Sequence, residues 1–254
     1  MKLHEKVALV TGSVRGLGWE MIQAFAQEGA NVTICDLSQS DVDGALARLG
    51  LPLEKVLGVK ADVTSEQDVI HLFRRVREKF NRLDILVNNA GFAWPRSGPV
   101  DLELAGTPLD VWLKVLDTNL TGTFLCSREA LKIMRLQGGG SIINISSPQG
   151  KKGKLLRGPY CAAKFGVEGL TQVLALENAN SNIKVNSLDP GGIVATEAIR
   201  KIPGNRGMRM LKPEIVRACA VYLASDESSG ITGHSFVAID WNRERGLEVP
   251  YTEA

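Results

Sequence analysis

The chain contains no apolar run approaching eighteen residues, so its sequence predicts no membrane-spanning helix. Histidine is scarce: His4, His71 and His234 lie far apart, which argues against a zinc site built on them. The four cysteines, Cys35, Cys126, Cys161 and Cys219, show neither a C-x-x-C nor a metal-type spacing, and they read as buried free thiols. Reduced thiols without an export signal suggest the cytoplasm. Residues 1–10 read as a short charged lead into a strand, lacking the apolar stretch of a signal peptide. An excess of one charge is also missing. Thirty Lys and Arg against 28 Asp and Glu leave a net charge of +2, too balanced to argue for nucleic acid or a membrane surface as partner. Linkers, internal repeats and low-complexity tracts are absent.

What is present is an alternation of two patterns along 254 residues, 44% of them hydrophobic. Short β-branched runs at residues 6–11, 31–36, 56–62, 85–88, 141–146, 184–188 and 235–239 read as strands, and the continuous ones suit parallel strands covered on both faces. Helical periodicity fills the gaps at 17–27, 65–80, 110–137, 159–178 and 213–224. Thr64 and Gln67 have the spacing of a capping box before the second of these. Proline opens the last two, a position it favours. Strand–helix alternation with short connections predicts right-handed crossovers, hence a single α/β domain over 1–254. Its doubly wound parallel sheet would have about seven strands, with helices on both faces. Such sheets bind ligands at the carboxyl ends of their strands.

The residues after the first strand are Thr11-Gly12-Ser13-Val14-Arg15-Gly16-Leu17-Gly18, opening a helix. Glycines there allow a tight turn and close approach of backbone to a pyrophosphate, which the helix N-terminus then attracts. Asp36 ends the second strand about twenty residues on, where a carboxylate accepts both ribose hydroxyls of NAD and repels the 2′-phosphate of NADP. Arg15 could receive that phosphate, but the directly placed carboxylate weighs more, and NAD is expected. Asp62-Val63 and Asn88-Asn89-Ala90-Gly91 follow the third and fourth strands and suit the adenine edge and neighbouring backbone.

The T-G-x-x-x-G-x-G segment, the N-N-A-G segment and Tyr160-x-x-x-Lys164, in this order, resemble the short-chain dehydrogenase/reductase family of Rossmann-like oxidoreductases over residues 6–239. The resemblance implies Tyr160 as general acid/base, Lys164 as its partner, Ser147 as the substrate-orienting hydroxyl and Asn119 as the fourth catalytic member. Tyr160 and Lys164 also join the residues beside the cofactor. Pro190, Gly191, Ile193 and Thr196 match the segment that approaches the nicotinamide carboxamide, although Thr196 falls one residue late. Ile239-Asp240-Trp241-Asn242 departs from the family's D-G-G. A homotetramer is implied by the same resemblance.

Elementary chemistry agrees with those roles. A spacing of four puts Tyr160 and Lys164 on one helix face, where an ammonium favours phenolate. Ser146 would point to the other side of the strand from Ser147. Asn119 is a poor interior helix residue among Trp112, Val115, Leu116, Leu120 and Phe124, so a local kink holding a water linked to Lys164 is expected. The segment between Ser147 and Tyr160 carries Lys151, Lys152, Lys154 and Arg157 and is expected to draw in an anionic small-molecule substrate such as a sugar acid or phosphorylated sugar. Phe92, Trp94 and Pro95 are expected to form an apolar wall, and 195–211 a mobile lid. The expected activity is NAD-dependent interconversion of a secondary alcohol and a ketone. The alternatives are a 3-oxoacyl thioester reductase and, from another class, a dinucleotide-sensing protein without catalysis.

Overall fold

Strand β1 (Val7–Thr11) is buried along its whole length, and its side chains divide between the two sides of a sheet. Val7 and Leu9 join one apolar cluster, Ala8 and Val10 the other. That division follows from the two-residue period of a strand. Both clusters need covering, so the run is apolar throughout rather than alternating.

The computed structural model describes residues 1–93, 102–200 and 207–253. The sheet is parallel and seven-stranded: β1, β2 (Asn31–Asp36), β3 (Val56–Lys60), β4 (Ile85–Asn88), β5 (Gly140–Ile145), β6 (Ile183–Asp189) and β7 (Ser235–Val237), in the spatial order 3-2-1-4-5-6-7. The order reverses between β1 and β4, which opens a crevice at their carboxyl ends. Helices α1 (Gly16–Gln27) and α2 (Gln39–Leu49) contribute to one cluster and α3 (Glu66–Phe80) to the other. Trp94 and Pro95 of the expected wall, and 201–206 of the expected lid, lie outside the described residues.

Several boundaries differ from the sequence-based expectation. The cap of α3 is Ser65, whose hydroxyl accepts from Asp68 N (3.2 Å), not Thr64 with Gln67. Asp62 takes both the backbone N–H and the hydroxyl of Thr64 into a preceding turn (2.9 and 2.8 Å), so the helix starts one residue later. The polar helix α2 was not expected; Ser38 caps it, and only Val42 and Ala45 are buried.

The expected 110–137 helix is α4 (Leu109–Leu116) and α5 (Gly122–Gln137), joined by a π turn over Asp117–Thr121. The turn is centred on Asn119, whose Nδ2 donates to Val115 O (3.0 Å) and Phe92 O (2.9 Å). A side chain that competes for a ladder carbonyl opens the ladder. The expected kink is therefore present, built on the Phe92 carbonyl.

Helix α6 (Gly158–Glu177) runs beside β6, and α7 (Glu197–Arg200) is a single turn. Helix α8 (Arg217–Ala224) follows a 3-10 turn at Pro213–Val216. The last expected strand, 235–239, is too long: β7 ends at Val237, and α9 (Ala238–Glu244) begins at once. Trp241 is the cause. It is buried against the Tyr222 ring, with centroids 5.4 Å apart, where the family's glycines would have no side chain to bury.

Among the described residues no helix is long and apolar enough to cross a membrane. Cys35, Cys126 and Cys219 are buried free thiols, and Cys161 is partly exposed.

Candidate active site

The crevice between β1 and β4 is closed at its base by hydrogen bonds. Thr11 Oγ1 accepts from the backbone N–H groups of Asn89 and Ala90, each at 3.0 Å, while Asn89 Nδ2 donates to the carbonyls of Thr11 (2.8 Å) and Gly12 (2.9 Å). Gly12 has φ +62°, and a Cβ there would stand 2.9 Å from Ala90 Cα. Ser13 ties the loop to β2, exchanging hydrogen bonds with Cys35. The loop ends at α1, whose cap residue Arg15 makes no side-chain capping bond and whose first turn carries no acidic residue. Its N–H groups and positive dipole end thus remain directed at the crevice, as a pyrophosphate requires.

Other expected cofactor residues gather around this cradle. Gly16 faces Thr196, whose Cγ2 would be 3.3 Å from a Cβ at Gly16. Leu17 packs against the core beside Gly18. Asp36 ends β2, accepting Leu37 N at 2.8 Å with one oxygen. Asp62 follows β3 with one oxygen engaged by Thr64, and Val63 is buried against Gly122. Gly91 lies against the Asn119 side-chain oxygen, so no Cβ fits there. Beyond β6, Gly191 donates its N–H to Asp189 Oδ1 (2.8 Å), Pro190 is buried, and Ile193 is 40% exposed. Arg15 lies 3.9 Å from Glu197 of α7, so its charge is offset by a carboxylate.

Ser147, Tyr160 and Lys164 converge at the carboxyl end of β5. Ser147 caps a 3-10 turn at Pro148–Gly150, its hydroxyl accepting Gln149 N at 3.2 Å, and its side chain favours the ionised form of the Tyr160 phenol. Lys164 is buried; its Nζ donates to Ile145 O (2.8 Å) and stands 5.5 Å from the Tyr160 ring centroid. Ser146 turns the other way, as expected, and donates to Glu168 Oε1 (2.5 Å). Asn119 lies at the π turn, with the hydrogen bonds described above and no direct bond to Lys164.

The electrostatics depart from expectation. Burial pushes the Tyr160 phenol up to about 12, the Ser147 side chain opposes this, and Asp189 adds to it. Burial also pulls Lys164 down to about 8, against the pull of Asp189 and Glu168. In the protein alone the ammonium therefore does not outweigh burial, and the phenol is not acidified. An ultraviolet difference titration against Tyr160→Phe is expected to show no Tyr160 phenolate below about pH 10. A signal from this tyrosine near about pH 8 would contradict the burial argument.

Sequence reasoning missed the polar residues that hold the site together. Glu168, one turn after Lys164, accepts from the hydroxyls of Ser146, Ser187 and Ser235, which tie α6 to the ends of β5, β6 and β7. A buried amide chain runs from Ser127 through Asn88 and Asn144 to Thr171. A glutamate in a helix signals nothing by spacing; its partners come from three neighbouring strands that lie far apart in the sequence.

Comparison with known proteins agrees with the geometry. Residues 6–206 match the family model described as short chain dehydrogenase. Cis-4-hydroxycyclohexanecarboxylate dehydrogenase of Sinomonas cyclohexanicum is 36% identical over 93% of this chain and 95% of its own. The 3-oxoacyl-(acyl-carrier-protein) reductase FabG of Thermotoga maritima is 36% identical over 92% and 96%. The crystal structure of a candidate gluconate dehydrogenase from Agrobacterium tumefaciens superposes with a TM-score of 0.83 at 32% identity, covering 93% of this chain and 95% of that one. The chain thus belongs to the short chain dehydrogenase family, as an NAD(P)-type oxidoreductase acting on CH–OH groups.

Proposed function

We propose that this enzyme interconverts a secondary alcohol and a ketone on a small polar substrate bearing a carboxylate, with NAD as cofactor. The observation that carries the reading is Lys164, buried and fixed on the Ile145 carbonyl with its Nζ 5.5 Å from the Tyr160 ring centroid, at the end of the strand that leads to Ser147. The cradle fits a dinucleotide: a Cβ at Gly18 would strike Asn89 Nδ2 at 2.5 Å and Gly12 O at 2.6 Å, and the α1 N-terminus is uncapped by any side chain. Gly12, Gly16, Leu17 and Gly18 would hold the pyrophosphate and Asp36 the ribose hydroxyls. Asp62 and Val63 would meet the adenine; Asn89, Ala90 and Gly91 would line the middle. Pro190, Gly191, Ile193 and Thr196 would adjoin the nicotinamide, which when bound supplies a hydride acceptor or donor.

The chain's own residues handle the oxygen and its proton. Ser147 holds the reacting oxygen by a hydrogen bond. Tyr160 takes the hydroxyl proton in oxidation and returns it in reduction. Lys164, fixed by the Ile145 carbonyl, places a positive charge beside the phenol.

NAD is favoured by Asp36 and by the pairing of Arg15 with Glu197. A carboxylate substrate is favoured by the exposed Lys152 and Lys154 and by the hydroxy acids named for two of the relatives. The FabG relative supports a second reading, a 3-oxoacyl thioester reductase, which would call for NADPH.

The test is a panel of cis-4-hydroxycyclohexanecarboxylate, gluconate, cyclohexanol and acetoacetyl-CoA with each dinucleotide. The expected result is a preference for NAD of about tenfold or more and for the carboxylates over cyclohexanol. Lys152→Gln with Lys154→Gln is expected to lower kcat/KM, and its salt dependence, for the carboxylates only. A preference for NADPH and acetoacetyl-CoA selects the second reading. Unchanged kcat/KM in the lysine variant removes the anion from the first.

A further inference from the structure

We propose that Asp189 and Lys151 form a latch between the loop after β5 and the turn after β6, and that this latch sets the charge beside Tyr160 and Lys164. The two residues come from different parts of the candidate site. Asp189 is the last residue of β6 and is 2% exposed. Its Oδ1 accepts the Gly191 N–H at 2.8 Å, which shapes the turn expected to face the nicotinamide. Its Oδ2 lies 3.9 Å from Lys151 Nζ, and Lys151 belongs to the basic loop between Ser147 and Tyr160. The register pairs Ile145 with Leu188, so the end of β6 stands level with the start of that loop.

A carboxylate so deeply buried requires compensation. Burial raises the Asp189 carboxyl above its usual range, and the Gly191 N–H and the Lys151 ammonium, with Lys164 a further cation nearby, oppose this in part. Lys151, though exposed like Lys152 and Lys154, is the one of the three whose ammonium lies within ion-pair distance of Asp189. The groups facing Asp189 among the described residues are Lys151 from the loop and Lys164, Glu168 and Tyr160 from α6. Cys161 also faces Tyr160. The negative charge of Asp189 makes both Tyr160 and Lys164 hold their protons more tightly. Without it both release protons at lower pH; without Lys151 the opposite field acts on the phenol. Asp189 is thus a positioning residue, and its two partners give it signatures of opposite sign.

Asp189→Asn keeps an oxygen for Gly191 and removes only the charge; Lys151→Met removes the cation. The activity measurement rests on the oxidoreductase reading proposed above, whereas a second measurement does not. For oxidation of cis-4-hydroxycyclohexanecarboxylate with NAD, the acid limb of kcat/KM is expected to move to lower pH in Asp189→Asn and to higher pH in Lys151→Met. Each shift is expected to be about half a unit or more. Loss of substrate steering would change the height of the profile, not the position of its limb.

Tryptic cleavage after Lys152, Lys154 and Arg157, sites retained in both variants, is expected to become about three- to fivefold faster in each. Limbs that stay in place or move the same way overturn the electrostatic role, and unchanged cleavage rates overturn the latch. If the wild-type protein oxidises no alcohol of the panel with either dinucleotide, the oxidoreductase reading falls, and the latch stands or falls on the cleavage rates alone.

Discussion

Tyr160→Phe is expected to lower kcat for alcohol oxidation by about 10²–10⁴-fold while leaving NADH affinity within about twofold, since the ring and its packing are kept. The size of the loss follows from the absence of a substitute among the neighbouring groups. Lys164 holds a fixed bond to the Ile145 carbonyl and stands 5.5 Å from the ring. Glu168 is committed to the hydroxyls of three serines, Ser146, Ser187 and Ser235. Asp189 is engaged by Gly191 and Lys151. No second acid or base among these reaches the oxygen that Ser147 would hold. Steady-state rates with the best substrate of the panel, and NADH fluorescence for binding, check the expectation. Equal turnover in both proteins removes Tyr160 from the chemistry. Equal turnover with weakened NADH binding places the residue in the cofactor site instead.

The parts of this site that were legible in the sequence are those imposed by the backbone. Gly12 must take a positive φ beside Ala90, Gly18 must let α1 approach the crevice, and Tyr160 and Lys164 must share a helix face. Each constraint leaves a residue type at a fixed interval. The seven strands were legible for a similar reason: burial on both faces writes an apolar run, as in β1. Helix α2 was not legible, because a helix with only Val42 and Ala45 buried carries almost no apolar stripe. Helix α9 was hidden by adjacency, since Val237 and Ile239 continue a strand-like run until Trp241 turns into the core. The state of the phenol was illegible in a deeper sense. The four-residue interval tells that an ammonium is near; the burial that outweighs it is a property of the assembled site. The pairings of Asp189 and Glu168 likewise depend on which strands become neighbours.

Gly18→Ala is expected to weaken NADH binding at least tenfold and to destabilise the fold by about 1–3 kcal/mol, an effect that its modest chemistry does not suggest. The added carbon would meet Asn89 Nδ2 at 2.5 Å, Gly12 O at 2.6 Å and Ser13 Cα at 2.9 Å. None of these is the free end of a flexible side chain. Asn89 Nδ2 is held by two carbonyls across the crevice, so moving it breaks the bonds that join β1 to the segment after β4. Moving Gly12 or Ser13 instead displaces the cradle and the tie from Ser13 to Cys35. Either relaxation withdraws the α1 N-terminus from the place where a pyrophosphate would sit, so stability and binding fall together. Gly44→Ala supplies the contrast, because a Cβ within α2 at that position meets nothing within 4 Å. It is expected to stabilise the protein by about 0.4–1 kcal/mol and to leave NADH affinity unchanged. Urea denaturation and NADH fluorescence on the two variants distinguish a close-contact requirement from a general intolerance of alanine for glycine. If Gly18→Ala binds NADH as the wild type does, the cradle is not where the dinucleotide lies.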